Sequence, residues 1–126
     1  MASSSAGLHE PEDRMSAEAI DDHRALVSIM EELEAVDWYR QRAEATSDQD
    51  LAAILVHNRD EEKEHAAMTL EWLRRRDEAL DRHLRTYLFS QGDILATEEA
   101  AEHGGSEGPP ADDGSLGLGS LKVAAS

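Results

Sequence analysis

The sequence predicts an all-α protein, an antiparallel two-helix hairpin plus a short third helix, of which two copies pair into a four-helix bundle. Apolar residues recur at helical spacing in three consecutive segments, and only a few residues separate the first two segments. The chain of 126 residues can bury only a small core, and because it has no cysteine, disulfides cannot supplement its stability. We therefore expect metal binding or pairing with a partner to complete the fold.

Turn and capping residues delimit the first two helices. Residues 1–15 are rich in Ser, Gly, Pro and acidic side chains without an apolar period, which predicts a flexible N-terminal arm. Ser16 is the predicted N-cap of a first helix that runs to about Ala45. Residues 46–48 form the predicted turn, in which Ser47 caps the second helix. Because this turn is short, the two helices should lie antiparallel.

The remainder of the chain divides into three predicted parts. A short third helix is expected within residues 77–90, and it completes a helical half-bundle of residues 16–92. Residues 93–113 accumulate Gly, Pro and acidic side chains, which predicts a disordered acidic linker. Residues 114–126 contain leucines spaced by Gly and Ser, a pattern that suits an extended peptide whose side chains enter pockets of a partner's groove. These leucines are Leu116, Leu118 and Leu121.

The charge distribution argues against a nucleic-acid partner. Of the 28 acidic residues 21 precede Asp93, as do 11 of the 12 basic ones, so residues 1–92 carry −10 and residues 93–126 carry −6. Such a surface repels phosphate backbones and attracts cations. No segment combines a basic start with an apolar run, as a secretory signal does, and none is long and apolar enough to cross a membrane. We therefore expect a soluble cytoplasmic protein without nucleic-acid or membrane partners.

The predicted helices carry polar residues where packing calls for apolar ones. One stripe of the second helix, at steps of three and four residues, is apolar at its two ends and carries Glu62 and His65 near its middle. The matching stripe of the first helix carries one carboxylate, Glu32, among apolar residues. A buried carboxylate needs a charged or hydrogen-bonded partner, and a metal ion would supply one. The sequence thus predicts these three residues as metal ligands.

A Glu-x-x-His pair alone is weak evidence, because such pairs are common on exposed helices. The evidence for a metal site is stronger here because three residues of metal-ligating types lie on stripes that should be apolar. Di-iron bundles use one Glu from each of two helices and a Glu-x-x-His from each of two others. One chain carries half of this set, so two copies related by a two-fold axis would complete it. Carboxylate and imidazole ligands suit Fe(II), although Mn(II) or Zn(II) could occupy them.

Three sequence runs are similar to the encapsulated ferritins, the ferritin-like cargo proteins of bacterial encapsulin nanocompartments. They are MEELEAVDWY (residues 30–39), HNRDEEKEHAAMTLEWLRR (residues 57–75) and HLRTYLFS (residues 83–90). The run LGLGSLK, residues 116–122, resembles the peptide by which such cargo docks inside the shell. The resemblance implies a ferritin-like four-helix bundle located inside an encapsulin nanocompartment in the cytoplasm, with the shell protein bound through the three tail leucines.

The resemblance also implies an activity, namely oxidation of Fe(II) to Fe(III) for mineral storage inside the shell. The residues that match Glu32, Glu62 and His65 form a ferroxidase centre between two chains in that family, with the residue that matches Tyr39 close by. This implies a di-iron centre with one iron per chain. It further implies that the homodimers assemble into an open ring.

A second metal position is implied by the same resemblance. Glu31, Glu34 and Trp38 match residues that line a site where metal enters, or a secondary site, which a divalent cation such as Ca²⁺ could occupy. By spacing alone, Glu31 and Glu34 fit a solvated acidic face. Two other functions remain open: a non-catalytic cargo or adaptor protein whose acidic face sequesters metal, and a di-iron oxygenase or peroxide reductase.

Overall fold

The computed structural model describes residues 7–105, which contain helices and no strand. The helices are α1 (Ala17–Ala45), α2 (Gln49–Arg76), α3 (Glu78–Tyr87) and α4 (Ile94–Gly105), and one turn of 3-10 helix, Glu12–Arg14, precedes them. The prediction of an all-α protein is confirmed. The described residues divide into two compact units, one that ends at Arg76 and one that begins at Asp77. The predicted shell-binding region, residues 114–126, lies outside the described residues.

Capping residues fix where α1 and α2 begin and end. The Ser16 side chain accepts a hydrogen bond of 3.0 Å from the backbone N–H of Ala19, as predicted for an N-cap. At the start of α2, however, the cap is Asp48, whose Oδ1 accepts from the backbone N–H of Leu51 at 2.9 Å. The prediction of a Ser47 cap was wrong. A carboxylate one residue closer to the helix takes the exposed N–H group and also complements the positive helix terminus.

The helices α1 and α2 form an antiparallel hairpin with a thin core. At one end of the hairpin, Arg76 Nε of α2 lies 3.5 Å from Asp22 Oδ1 of α1. Among the described residues only Ala25, Ala66 and Leu73 count as buried apolar residues. The two alanines let the helices approach closely, but so few buried side chains contribute little hydrophobic stabilisation. The hairpin therefore leaves large apolar side chains in contact with water.

The second unit contains α3 and α4, which contact each other. Asp77 caps α3 through a 3.0 Å hydrogen bond from the backbone N–H of Leu80, and α3 matches the predicted third helix. Residues 93–113 were predicted to be a disordered linker, whereas Ile94–Gly105 are helical. Asp93 caps this helix, because its Oδ2 accepts from the backbone N–H of Ala96 at 2.9 Å.

Two further expectations concern the termini and the membrane. The predicted flexible arm, residues 1–15, includes the 3-10 turn over Glu12–Arg14, and its first six residues lie outside the described range. Within residues 7–105, no helix is long and apolar enough to cross a membrane.

Candidate metal centre

The pair Glu62 and His65 lies midway along α2. Because the two residues are one helical turn apart, their side chains meet, and His65 Nδ1 lies 3.5 Å from Glu62 Oε1. The Glu62 side chain is 26% exposed and the His65 side chain 45% exposed. Both groups are therefore partly shielded from water, yet they remain open to a further ligand.

Glu32 on α1 is the least satisfied carboxylate of the hairpin. Its Oε1 is buried, and it is the one buried side-chain oxygen or nitrogen in the described part of the chain without a hydrogen-bond partner. Burial raises the pKa of Glu32 above its ordinary value, as do the nearby carboxylates of Glu62 and Glu31, while His65 opposes the shift. Burial and the neighbouring carboxylates thus disfavour the ionised form of Glu32. Because a bound cation would stabilise that form, the carboxylate suits a metal site.

The hairpin brings the three predicted ligands together. Glu62 and His65 on α2 influence the pKa of Glu32 on α1, so all three belong to one electrostatic environment. Within residues 7–105, however, no group of three or more His, Cys, Asp or Glu side chains is arranged to hold a metal ion. The described part of one chain thus holds three candidate ligands near one another without a complete metal-binding group.

The predicted ligands of α2 lie among exposed apolar side chains of the same helix. Ile54, Met68 and Trp72 are all exposed, and helical spacing places them beside Glu62 and His65. An apolar surface of this kind is typical of an interaction site. We name this surface of α2 the open face.

Tyr39, Trp38 and Arg42 form a small cluster on α1. The Arg42 guanidinium carbon lies 5.7 Å from the centroid of the Tyr39 ring and 5.8 Å from that of the Trp38 ring. Both contacts fall within the range of cation–π attraction. Arg42 was not among the predicted site residues, although its spacing of three and four residues from the two aromatic residues permits both contacts.

The residues of the implied secondary site differ in exposure. Glu31 and Trp38 are exposed and Glu34 is half-buried. Glu31 agrees with the solvated face that spacing suggests, and its charge also contributes to the raised pKa of Glu32.

Glu61 is a neighbour of the candidate centre that the prediction left out. Its Oε1 lies 4.0 Å from His65 Nε2, and its Oε2 lies 3.8 Å from His57 Nε2. Since these residues are four apart, helical spacing already contained the signal. The Glu61 side chain is half-exposed and that of His57 more so, which places this pair at the rim of the centre.

Comparison with known proteins assigns the chain to a family. A sequence model of the EncFtn-like family matches residues 7–91. The chain is 60% identical over 129 residues to an encapsulated ferritin-like protein of Rhodospirillum rubrum, with 97% of this chain and 92% of the relative covered. It is 36% identical to the encapsulin nanocompartment cargo protein EncC of Myxococcus xanthus, with 76% of this chain and 80% of the relative covered.

A solved structure is also similar to the chain. The crystal structure of protein ne0167 from Nitrosomonas europaea is similar, with a TM-score of 0.69 and 58% sequence identity, covering 70% of this chain and 97% of that one. The family model spans both hairpin helices and α3, and the relatives extend over most of the chain. The chain therefore belongs to the EncFtn-like family, the encapsulated ferritins that its sequence resembles.

Proposed function

We propose that the protein is a ferroxidase that oxidises Fe(II) to Fe(III) at a di-iron centre shared between two copies of the chain. Glu32, Glu62 and His65 of each copy are the proposed ligands, with about one iron per chain. Their carboxylate oxygens and imidazole nitrogen, without thiolate, suit Fe(II). The names of the relatives, which describe ferritin-like and encapsulated proteins, support an iron-related role.

The observation that carries this proposal is the buried, unpartnered Oε1 of Glu32. A carboxylate oxygen without a hydrogen bond is unfavourable in a metal-free chain, and the adjacent Glu62 carboxylate increases that cost. A divalent cation neutralises both charges at once. The same arrangement that destabilises the empty site therefore stabilises the metal-bound one.

A second copy of the chain is the proposed source of the missing ligands. One chain offers a Glu on α1 and a Glu-x-x-His on α2, which is half of the set found in di-iron bundles. Two hairpins packed by their open faces would cover the exposed side chains of Ile54, Met68 and Trp72. The same packing would bring both half-sets to one isologous interface. We propose that these dimers assemble further into a ring.

The chain's own residues bind and position iron. The carboxylates hold the two ions and offset their charge, while His65 contributes an imidazole nitrogen. Bound iron supplies the redox chemistry, because each Fe(II) gives one electron to an oxidant. Tyr39 is proposed to stand beside this centre, steadied by Arg42. Glu31, Glu34 and Trp38 are proposed to guide a divalent cation, either iron or Ca²⁺, towards it.

The proposed destination of the oxidised iron is the interior of an encapsulin shell. The relative EncC is named as an encapsulin nanocompartment cargo protein, and the tail leucines Leu116, Leu118 and Leu121 resemble a docking peptide. We therefore propose that the shell protein is the physiological partner, and that the shell in the cytoplasm is where the mineral accumulates.

Single substitutions test the assignment of the ligands. Glu32→Ala, Glu62→Ala and His65→Ala should each abolish rapid Fe(II) oxidation in air, followed by the absorbance of Fe(III). A symmetric centre loses two ligands whenever one is lost per chain, so each effect should be large. The matched control is His57→Ala, which removes an exposed histidine of the same helix and should leave oxidation intact. Parental rates in all three variants would refute the centre.

The same assay separates the ferroxidase from a non-catalytic metal-binding cargo protein. If the parent protein binds Fe(II) without accelerating its oxidation over buffer, the cargo function is the correct one. If it accelerates oxidation and the three ligand variants do not, the ferroxidase function stands.

A further inference from the structure

The two ring nitrogens of His65 lie near different carboxylates of α2. His65 Nδ1 is 3.5 Å from Glu62 Oε1, whereas His65 Nε2 is 4.0 Å from Glu61 Oε1. Of these two neighbours, Glu62 is a proposed iron ligand and Glu61 is not. The Nδ1 edge of the ring is therefore directed towards the candidate metal centre, and the Nε2 edge is directed towards Glu61.

The two nitrogens of a metal-bound imidazole have different roles. One nitrogen binds the ion through its lone pair, and the other carries a proton and is a hydrogen-bond donor. The hydrogen bond that this second nitrogen makes decides which nitrogen is free for the metal. Histidine ligands almost always donate it to a carboxylate, a backbone carbonyl or water, which also fixes the orientation of the ring. If His65 binds metal through Nδ1, its Nε2–H needs such an acceptor.

Glu61 is placed to accept the Nε2–H of His65. The two residues are four apart, so their side chains lie on the same face of α2. Their separation of 4.0 Å is longer than a hydrogen bond. Such bonds are often long in a ligand-free site and shorten when the site is loaded. The side chains of Glu61 and His65 are 50% and 45% exposed, so a small change of rotamer can close the gap.

The other oxygen of Glu61 lies near a second imidazole. Glu61 Oε2 is 3.8 Å from His57 Nε2, one turn nearer the start of α2. Each oxygen of the carboxylate is thus directed to a different ring. A rotation that moved Oε1 away from His65 would also move Oε2 away from His57, so both contacts favour the observed orientation of Glu61.

We infer that Glu61 is a positioning residue of the metal centre, which accepts the Nε2–H of His65 and thereby presents Nδ1 to the metal. The inference rests on the proposed function and deepens it, because it states which nitrogen of His65 binds the ion and what selects that nitrogen. Glu61 does not bind the ion in this arrangement. An ordinary exposed pair with the same spacing would have no effect on metal binding.

Variants of Glu61 that keep or remove the acceptor test this role. Zn(II) affinity, measured in the absence of iron by competition with a chromophoric chelator, reports on the ligands without depending on oxidation. Loss of the hydrogen-bond partner of a metal-bound histidine costs about 10–100-fold in metal affinity, so Glu61→Leu should weaken Zn(II) binding by about tenfold or more. Glu61→Gln retains an oxygen that accepts an N–H, so it should restore most of the affinity.

Glu64→Gln is the matched control for charge. It removes one negative charge from an exposed position of α2 next to His65 in the sequence, and it leaves the acceptor in place. This variant should bind Zn(II) as the parent does. Parental affinity in Glu61→Leu would overturn the inference. Equal weakening by Glu61→Leu and Glu61→Gln would also overturn it, because the charge of Glu61 rather than its acceptor oxygen would then be responsible.

The same titration separates this inference from the proposed centre. Glu62→Ala removes a proposed ligand and should weaken Zn(II) binding whether or not Glu61 has a role. If Glu62→Ala weakens binding and Glu61→Leu does not, the centre stands and the positioning role of Glu61 is refuted. If Glu62→Ala binds Zn(II) as tightly as the parent, the proposed centre is wrong, and the role of Glu61 is refuted with it.

Discussion

Replacing Glu32 by glutamine should stabilise the metal-free chain while abolishing its iron oxidation. Burial, followed by the Glu62 carboxylate, raises the pKa of Glu32. A carboxyl whose pKa is raised on folding favours the folded state below its unfolded pKa, and this contribution is lost as the pH rises through the folded pKa. At neutral pH the charged carboxylate therefore opposes folding, and a neutral side chain of the same shape removes that opposition.

The size of the effect follows from the exposure of Glu32. A buried polar atom without a hydrogen bond costs about 1–3 kcal/mol. One oxygen of Glu32 is shielded, but the residue as a whole is half-buried, so screening by water reduces the electrostatic part. Glutamine is neutral but still polar, so the substitution removes only the electrostatic part of the free-energy cost. We expect a gain of about 0.5–1 kcal/mol, equivalent to a rise of roughly 2–6 °C in Tm for a domain of this size.

Thermal unfolding by circular dichroism in the presence of a chelator measures this gain. The matched control is Asp37→Asn, which removes one negative charge from an exposed position of α1. The gain of Glu32→Gln over the parent should be present at pH 7 and should shrink towards pH 4, where the Glu32 carboxyl is protonated. A Tm at pH 7 below that of the parent, or an equal gain from Asp37→Asn, would refute the reasoning.

Three other predictions concern assembly, loading and α4. Because metal binds the paired form, added Fe(II) should shift the parent protein from monomer towards dimer and larger forms, measured by light scattering, and should not shift Glu62→Ala. An oligomer distribution of the parent that does not change with Fe(II) would contradict this coupling. Changing Leu116, Leu118 and Leu121 together to Asp should prevent loading into a co-expressed encapsulin shell and preserve iron oxidation, and normal loading would refute the docking peptide. Asp93→Ala should reduce helix content and cost about 1 kcal/mol through loss of the α4 cap, whereas unchanged circular dichroism would contradict that role.

The hairpin was predictable because its signals are local. Apolar spacing gave α1 and α2, and Ser16 gave the start of α1, since each depends on residues within one or two helical turns. The cap of α2 was misplaced because Ser47 and Asp48 are adjacent and both can cap a helix. Helix α4 was missed because its short run of Ala and Glu lies beside a segment rich in Gly and Pro, so that composition over the longer window concealed it.

Helical spacing predicted which side chains of the candidate centre approach one another, whereas their role as metal ligands stays a prediction. Helical spacing correctly brought Glu62 beside His65 and placed Glu32 near both. Spacing along one chain does not show what covers the open face, and in the single chain the His65 side chain is 45% exposed. Helical spacing permits the contacts of Arg42 and Glu61, but the rotamers of these long side chains, which spacing does not fix, decide whether the contacts form.

Anaerobic titration with Fe(II), followed by exposure to air, tests the shared di-iron centre most directly. Absorbance should show saturation near one iron per chain, two per dimer, and prompt formation of Fe(III) once air is admitted. The ligand variant Glu62→Ala should show neither saturation at that ratio nor prompt oxidation. Saturation of the parent at a clearly different ratio, or slow oxidation equal to that in buffer, would contradict a centre built from two half-sites.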